Sequence, residues 1–407
     1  MERKVQPTSG AIKAANRASI VDVLRRGGSA TRAELMAATG LSRATVSGLV
    51  SEMRSHGLVS EQRPHVSGGF GRPPAAIVLN RSAGLAIGVD VGVRHVAVAV
   101  GDLSHRVLAE RWVALPHGHS ARNGARTVLR SIEETLSEAD ADPGQLVGAA
   151  ISIAAPISPE TGRMMVPGVL GGWNGPELAS QVAHRWDIPV AVENDANLGA
   201  LGEWTWGDAK GAKTLLYIKI ASRVGLGIVI DGAIYHGAEG WAGELGHVTV
   251  DPEGEQCWCG QRGCLEMYVG GEGLIRRVGV ASGNQIDLRD LVAHAQEMSP
   301  ELPGLIKRGA EVLGQAVSTL ALLFNPSAIV LGGEVAMFGD LLLEPVREAV
   351  QAVPFGSPVR VELSSLKDHA SVAGALALVL SDASRFVDQT AVPTSASSSA
   401  LPLPRAS

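Results

Sequence analysis

The chain has 407 residues, 45% of them hydrophobic, and a formal net charge of −6. That length predicts two or three domains with sizeable cores. No apolar run reaches the roughly 18 uncharged residues that a membrane span needs. The opening MERKVQPTSG carries charge but no apolar signal-peptide core, so a cytoplasmic protein is expected.

The charge is unevenly spread. Residues 1–74 hold eleven Lys and Arg against five Asp and Glu, a balance of +6, which leaves −12 on the remainder. A basic head on an acidic body suits a head that meets a polyanion, although chance clustering on a solvated surface gives the same tally.

Three helices are predicted in the head. The first runs from Asn16 to Arg26 with Ile20, Val23 and Leu24 on one face, and ends at Gly27-Gly28. Thr31 and Glu34 have capping-box spacing before a second helix that stops at Gly40. Ser42 caps the third, where Val46, Leu49, Val50 and Met53 form one buried stripe. Gly48 in mid-helix lowers propensity, and close approach to another backbone would explain it. A helix, a short turn and a helix that opens on Arg and hydroxyl residues is what reading a major groove requires. Two β-like stretches, Leu58–Gln62 and Ala76–Leu79, bracket a Gly/Pro/Arg loop in the manner of a wing. Arg32, Ser42, Arg43, Thr45, Ser47, Arg63 and Arg72 are the candidates for contact with double-stranded DNA. A small helical protein-docking module is the other reading of this segment.

From about Ala83 the chain becomes Gly-rich α/β. Strands Leu85–Val89, Val96–Val100 and Val107–Val113 precede a long helix near Ala121–Glu138 and a further strand, LVGAAISIA. A second block opens at TLLYIKIAS and continues through GLGIVIDGAIYH, with Asp231-Gly232 as a hairpin turn. The two blocks suggest an approximate internal duplication and two lobes around a ligand cleft. The expected division is 1–80 for the DNA-binding domain, 81–195 for the first lobe, completed by a terminal helix near 370–385, and 196–369 for the second lobe. Residues 386–407, rich in Ser, Pro and Ala, should be a disordered tail.

All three cysteines, Cys257, Cys259 and Cys264, fall within eight residues, and His247 lies ten residues upstream. Cys3His is a tetrahedral zinc set, closed and structural, whereas unligated or redox-active thiols are the alternative. Asn194 and Asp195 follow a strand-like run, Glu244 stands near His247, and Glu266 follows the last cysteine. Carboxylates and amides of this kind accept paired hydroxyls of a sugar, although each taken singly is more often a surface or capping group.

A winged helix-turn-helix followed by ENDAN, ExGH and CxCGxxGCxE closely resembles the ROK family (repressors, open reading frames, kinases), above all its repressor branch, over roughly residues 12–385. The resemblance implies an actin-like, hexokinase-type two-lobed ATPase fold with a monosaccharide between the lobes. It implies Asn194, Asp195, Glu244, His247 and Glu266 as sugar contacts, His247, Cys257, Cys259 and Cys264 as structural Zn2+ ligands, and Asp195 as general base in a kinase. Family kinases carry Asp-x-Gly-Gly-Thr-Lys at the first phosphate turn and Gly-Thr-Gly-x-Gly at the second. Here those segments read Asp90-Val91-Gly92-Val93-Arg94-His95 and Ala221-Ser222-Arg223-Val224-Gly225. Val93 lacks the close backbone approach and easy positive φ of glycine. Arg94 and Arg223 leave binding of phosphate by charge open, and Gly332-Gly333 matches a nucleotide-side turn that strand packing also explains. The expectation is a sugar-responsive repressor without enzymatic activity, acting as a homodimer or homotetramer; the alternative is a glucokinase-like ATP-dependent sugar kinase with a DNA-binding head.

Overall fold

The computed structural model describes residues 9–62, 75–80, 84–116, 119–166, 170, 173–277, 288–293, 302–353 and 359–381. Its contacts separate a head, up to residue 83, from a body spanning Gly84–Ser381. Arg63, Arg72 and the tail 386–407 lie outside the described residues.

In the head, α1 (Ser9–Gly27) begins seven residues before the expected Asn16, because nothing in the Ala-rich segment after Gly10 breaks a helix. The short α2 (Arg32–Thr39) has both arms of the capping box, Thr31 with Glu34, and ends at Gly40 in the left-handed region at φ 70°. In α3 (Arg43–Ser55) the stripe Val46, Leu49, Val50 and Met53 is buried. An antiparallel pair follows, β1 (Val59–Gln62) with β2 (Ala76–Leu79). The expectation for Gly48 fails within the described chain: it is exposed, and a Cβ there would meet nothing within 4 Å.

The body is built twice on one plan. The first half comprises β3 (Leu85–Val91), β4 (His95–Asp102), β5 (Val107–Ala114), α4 (Ala121–Glu138), β6 (Leu146–Ile153), α5 (Gly175–Trp186), β7 (Val190–Asn194) and α6 (Asp195–Thr205). The second opens with β8 (Thr214–Ile220), β9 (Val224–Ile230) and β10 (Ala233–Ile234), then passes through short helices α7 (Glu266–Val269), α8 (Gly271–Arg277) and α9 (Leu288–Ala293). It closes with α10 (Leu302–Phe324), β11 (Ala328–Gly332), α11 (Asp340–Gln351), β12 (Arg360–Leu363) and α12 (Ala370–Ser381). The sheet orders β5-β4-β3-β6-β7 and β10-β9-β8-β11-β12 are the same topology, an antiparallel meander extended by two parallel strands. Strands β3, β4 and β6 are buried almost throughout, as sheets covered on both faces must be.

The last helix of each half crosses over. Helix α6 packs on β8 and β9, while α12 packs on β3, β4 and β6. The two helices meet so closely that a Cβ at Gly202 would lie 2.3 Å from the Ala370 carbonyl, and one at Gly374 would lie 1.7 Å from that of Leu198. Any larger residue at Gly374 would drive the helices apart. This exchange ties both sheets into one body and brings the C-terminal ends of β3, β6, β7 and β8 together, where ligands of open α/β sheets sit.

Candidate functional site

Asn194 ends β7 and caps α6. Its Oδ1 accepts from the backbone N–H of Ala196 at 2.9 Å and of Asn197 at 3.1 Å, and its Nδ2 donates to the Ala155 carbonyl at 3.0 Å. These bonds fix both the start of α6 and the loop after β6. Asp195 follows in the first turn, with Oδ1 accepting from Ala196 N and Oδ2 paired with Lys219 Nζ at 2.8 Å.

Lys219 is a feature the motifs did not disclose. It stands in the apolar strand β8, donates to Ser371 Oγ at 2.9 Å, and lies between Asp195 and Asp90. Burial opposes its charge, but the two carboxylates outweigh that and hold its pKa well above the ordinary lysine value. Asp90, 1% exposed, is likewise disfavoured as an anion by burial, yet Lys219, His95 and Ser152 bring its pKa well below the usual carboxylate range. Ser152 Oγ donates to Asp90 Oδ1 and His95 Nε2 lies 3.0 Å from Oδ2.

Both turns that resemble phosphate loops make contacts within the chain. The His95 ring lies over Gly92, where an added Cβ would be 2.3 Å from its Cε1, and it stacks on Trp112 with centroids 5.7 Å apart. In the second turn, the Val224 N–H points to Glu266 Oε2 at 3.4 Å and the Ala221 N–H donates to the Arg223 carbonyl at 2.9 Å. The Arg223 guanidinium lies over Trp258, 4.5 Å from the ring centroid. Gly332 and Gly333 make room for β8: a Cβ on the former would strike Tyr217 Oη at 2.2 Å, and on the latter the Ile220 carbonyl at 2.5 Å. Packing explains that pair.

Glu244 faces Asp195 and Glu266, and burial together with those two charges pushes its carboxyl up to about 7. Glu266, 6% exposed, accepts from Trp258 Nε1 at 2.6 Å. The expected acids thus do converge, with Asn194 behind them. Glu193, which sequence reasoning passed over within ENDAN, accepts from the backbone of Asn194 at 2.7 Å and from Asn197 Nδ2 at 3.0 Å. Its Oε2 lies 2.6 Å from His236 Nε2, joining the first half to the segment after β10. A charged residue in an apolar strand, such as Lys219, was the one legible signal for these partners.

The cysteine cluster forms beside this site. One ligand atom each from His247, Cys257, Cys259 and Cys264 falls within 4.8 Å of the others. His247 Nδ1 is 3.7 Å from Cys257 Sγ, and the sulfurs of Cys259 and Cys264 are 3.6 Å apart. Burial and the neighbouring thiols of Cys259 and Cys257 push Cys264 up to about 12, so three thiolates coexist here only around a cation. Burial holds His247 below the ordinary histidine value, the neutral form that ligates metal. The donor set fits a metal ion.

In the head, Ser42 Oγ accepts from the Thr45 N–H and lies 2.8 Å from the Thr45 hydroxyl, so both first serve the helix cap. Arg32 is paired with Glu61 at 2.7 Å. Arg43 is exposed and Ser47 partly so.

The sequence profile of the ROK family matches residues 86–382. The chain belongs to the ROK family. The profile of the IclR helix-turn-helix domain matches residues 15–63 ahead of the ROK body. The chain is 30% identical over 372 residues to a xylose repressor of Caldicellulosiruptor bescii, covering 88% of this chain and 93% of that one. It is 32% identical over 283 residues to a glucokinase of Halalkalibacterium halodurans, which covers 65% of this chain and 85% of the relative. Among solved structures, a ROK family transcriptional regulator, homolog of the E. coli MLC protein, superposes with a TM-score of 0.77 at 24% identity over 93% of this chain and 99% of the other. A ROK glucokinase from Streptomyces griseus in complex with glucose and AMPPNP gives 0.63 at 28% identity, over 72% and 99%. The two-lobed ROK fold and the N-terminal helix-turn-helix are as the sequence led one to expect. Among the described residues, no helix is long and apolar enough to cross a membrane.

Proposed function

We propose that this ROK protein is a cytoplasmic, sugar-responsive transcriptional repressor. The head binds a double-stranded DNA operator, and the body takes a monosaccharide between its two halves. What supports this reading is the carboxylate set beside a first turn that departs from the kinase pattern and carries the His95 ring over Gly92. In the second turn the Val224 N–H points to Glu266 Oε2. The likeness over nearly the full chain to proteins named for xylose makes a pentose the first effector to try.

Asn194, Asp195, Glu244, His247 and Glu266 are the sugar contacts in this scheme, with Asn194 also capping α6. His247, Cys257, Cys259 and Cys264 hold a structural Zn2+, which, when bound, supplies charge that keeps the thiolates together. Arg43 and Ser47 face DNA, with Ser42 and Thr45 shaping the start of that helix, and Arg32, Arg63 and Arg72 contact the backbone of the duplex. One such head reads few base pairs, so the repressor acts as a homodimer or homotetramer on paired half-sites. Sugar and operator binding are linked, and each alters the affinity of the other by the same factor.

The likeness to glucokinases favours a second reading, an ATP-dependent sugar kinase with a DNA-binding head. Against it stands the first turn, where Val93, Arg94 and His95 replace the end of the kinase motif and the His95 ring lies over Gly92. Two assays decide. Titration of an operator gel shift with D-xylose, D-glucose and amino sugars should shift the DNA affinity, and no response to any of them would sink the sensor. Coupled ADP release should stay at background; turnover of about 1 s⁻¹ or more, abolished in Asp195→Asn, would establish the kinase instead.

A further inference from the structure

Trp258 sits between two cysteines of the metal cluster, where a short surface loop has no need of a large aromatic ring. It is 47% exposed, yet three of its neighbours hold it in place. Its indole N–H donates to Glu266 Oε1 at 2.6 Å, Arg223 lies over its ring face at 4.5 Å, and the His247 ring meets it edge-on at 4.8 Å and 80°. Glu266 belongs to the sugar set, and its other oxygen is engaged by the Val224 N–H. Each carboxylate oxygen has two acceptor sites, so a donor on one of them fixes the plane of the group and leaves the other for a ligand hydroxyl.

We propose that Trp258 is a positioning residue of the sugar site, which orients the Glu266 carboxylate through its indole N–H and is itself clamped by Arg223. The proposal rests on the sensor reading above. A carboxylate joined to a short helix by two rotatable carbons would otherwise sample several orientations, and each hydroxyl bond it made would first have to select one of them. The bond from Trp258 performs that selection before the ligand arrives. The metal cluster contributes by fixing the backbone on both sides of Trp258, and Arg223 contributes from the turn that no longer serves phosphate. Arg223 and Trp258 together thus hold Glu266 in register.

The test is calorimetric titration of the full-length protein with D-xylose, or with the tightest binder among D-glucose and amino sugars. Trp258→Phe keeps the ring and its stacking but lacks the N–H, and should weaken binding about ten-fold with metal content unchanged. In a Glu266→Gln background the same change should cost less than two-fold, because the group it orients is no longer an anion. Trp258→Tyr serves the same purpose where the Phe variant does not fold. Affinity within two-fold of the parent, an equal loss in both backgrounds, or loss of the metal from the Phe variant would each overturn the proposal. A parent chain that binds none of these sugars would instead overturn the sensor reading, and the positioning role with it.

Discussion

Replacing Lys219 with Met removes one ammonium from between two buried carboxylates and keeps nearly the same volume. Lys219 and Asp195 have 12% and 14% of their side chains exposed, and Asp90 is deeper still. Leaving a buried charge without its partner costs about 3–5 kcal/mol, and the slight solvent access here argues for the lower end. A body of about 300 residues unfolds with an entropy on the order of 0.6 kcal/mol/K, so about 3 kcal/mol lowers its Tm by roughly 5 °C. Differential scanning calorimetry of the body transition measures this, and the double variant Lys219→Met/Asp195→Asn should recover part of the loss.

The pH dependence has a defined sign. Asp90 has a depressed pKa, so its share of the stability is present above the ordinary value of 3.8 and is lost as pH falls through the folded value. Lys219 has a raised pKa, so its share is present below the ordinary 10.5 and disappears only above that. The gap in Tm between parent and variant should therefore persist from pH 5 to 9. A Tm within 1 °C of the parent at pH 7, or a double variant whose effects simply add, would refute the ionic bridge.

His236 gains stability from Glu193, whose hydrogen bond raises its pKa against the effect of burial. His236→Ala should lower Tm by roughly 1–2 °C at pH 6, corresponding to about 1 kcal/mol for a charge-assisted bond, and by less as pH rises through the raised value; thermal scans at pH 6 and 9 check it. Mass spectrometry of the intact protein should find one zinc per chain, and Cys259→Ser should release it together with much of the sugar affinity. Less than a tenth of an equivalent in freshly purified protein would contradict the metal assignment. Arg43→Ala should weaken operator binding at every salt concentration tested while sugar binding in solution stays unchanged, as parallel gel shifts and calorimetry would reveal. Ser42→Ala removes the helix cap and should destabilise the head by about 1 kcal/mol, seen in its own unfolding transition.

Much of this protein is legible from local sequence, because the relevant physics is local. The capping box at Thr31 and Glu34, the stripe from Val46 to Met53 and the spacing of the three cysteines depend on residues a few positions apart. The order ENDAN, ExGH and CxCGxxGCxE was enough to place the chain in its family and to collect Asp195, Glu244 and Glu266 into one site. Sequence could not show which neighbours those acids have. Lys219 lies 24 positions from Asp195 and 129 from Asp90; only the exchange of α6 and α12 across the two sheets brings the elements that carry them together. Val93, Arg94 and His95 depart from the kinase pattern in the sequence itself. That the His95 ring now covers Gly92 and reaches Asp90 is a matter of rotamer and packing, which no spacing encodes. The sequence by itself determined the family, the head and the residue types of the site, while tertiary structure alone decided their partners, since buried charges take their chemistry from whatever the fold sets within a few ångströms of them.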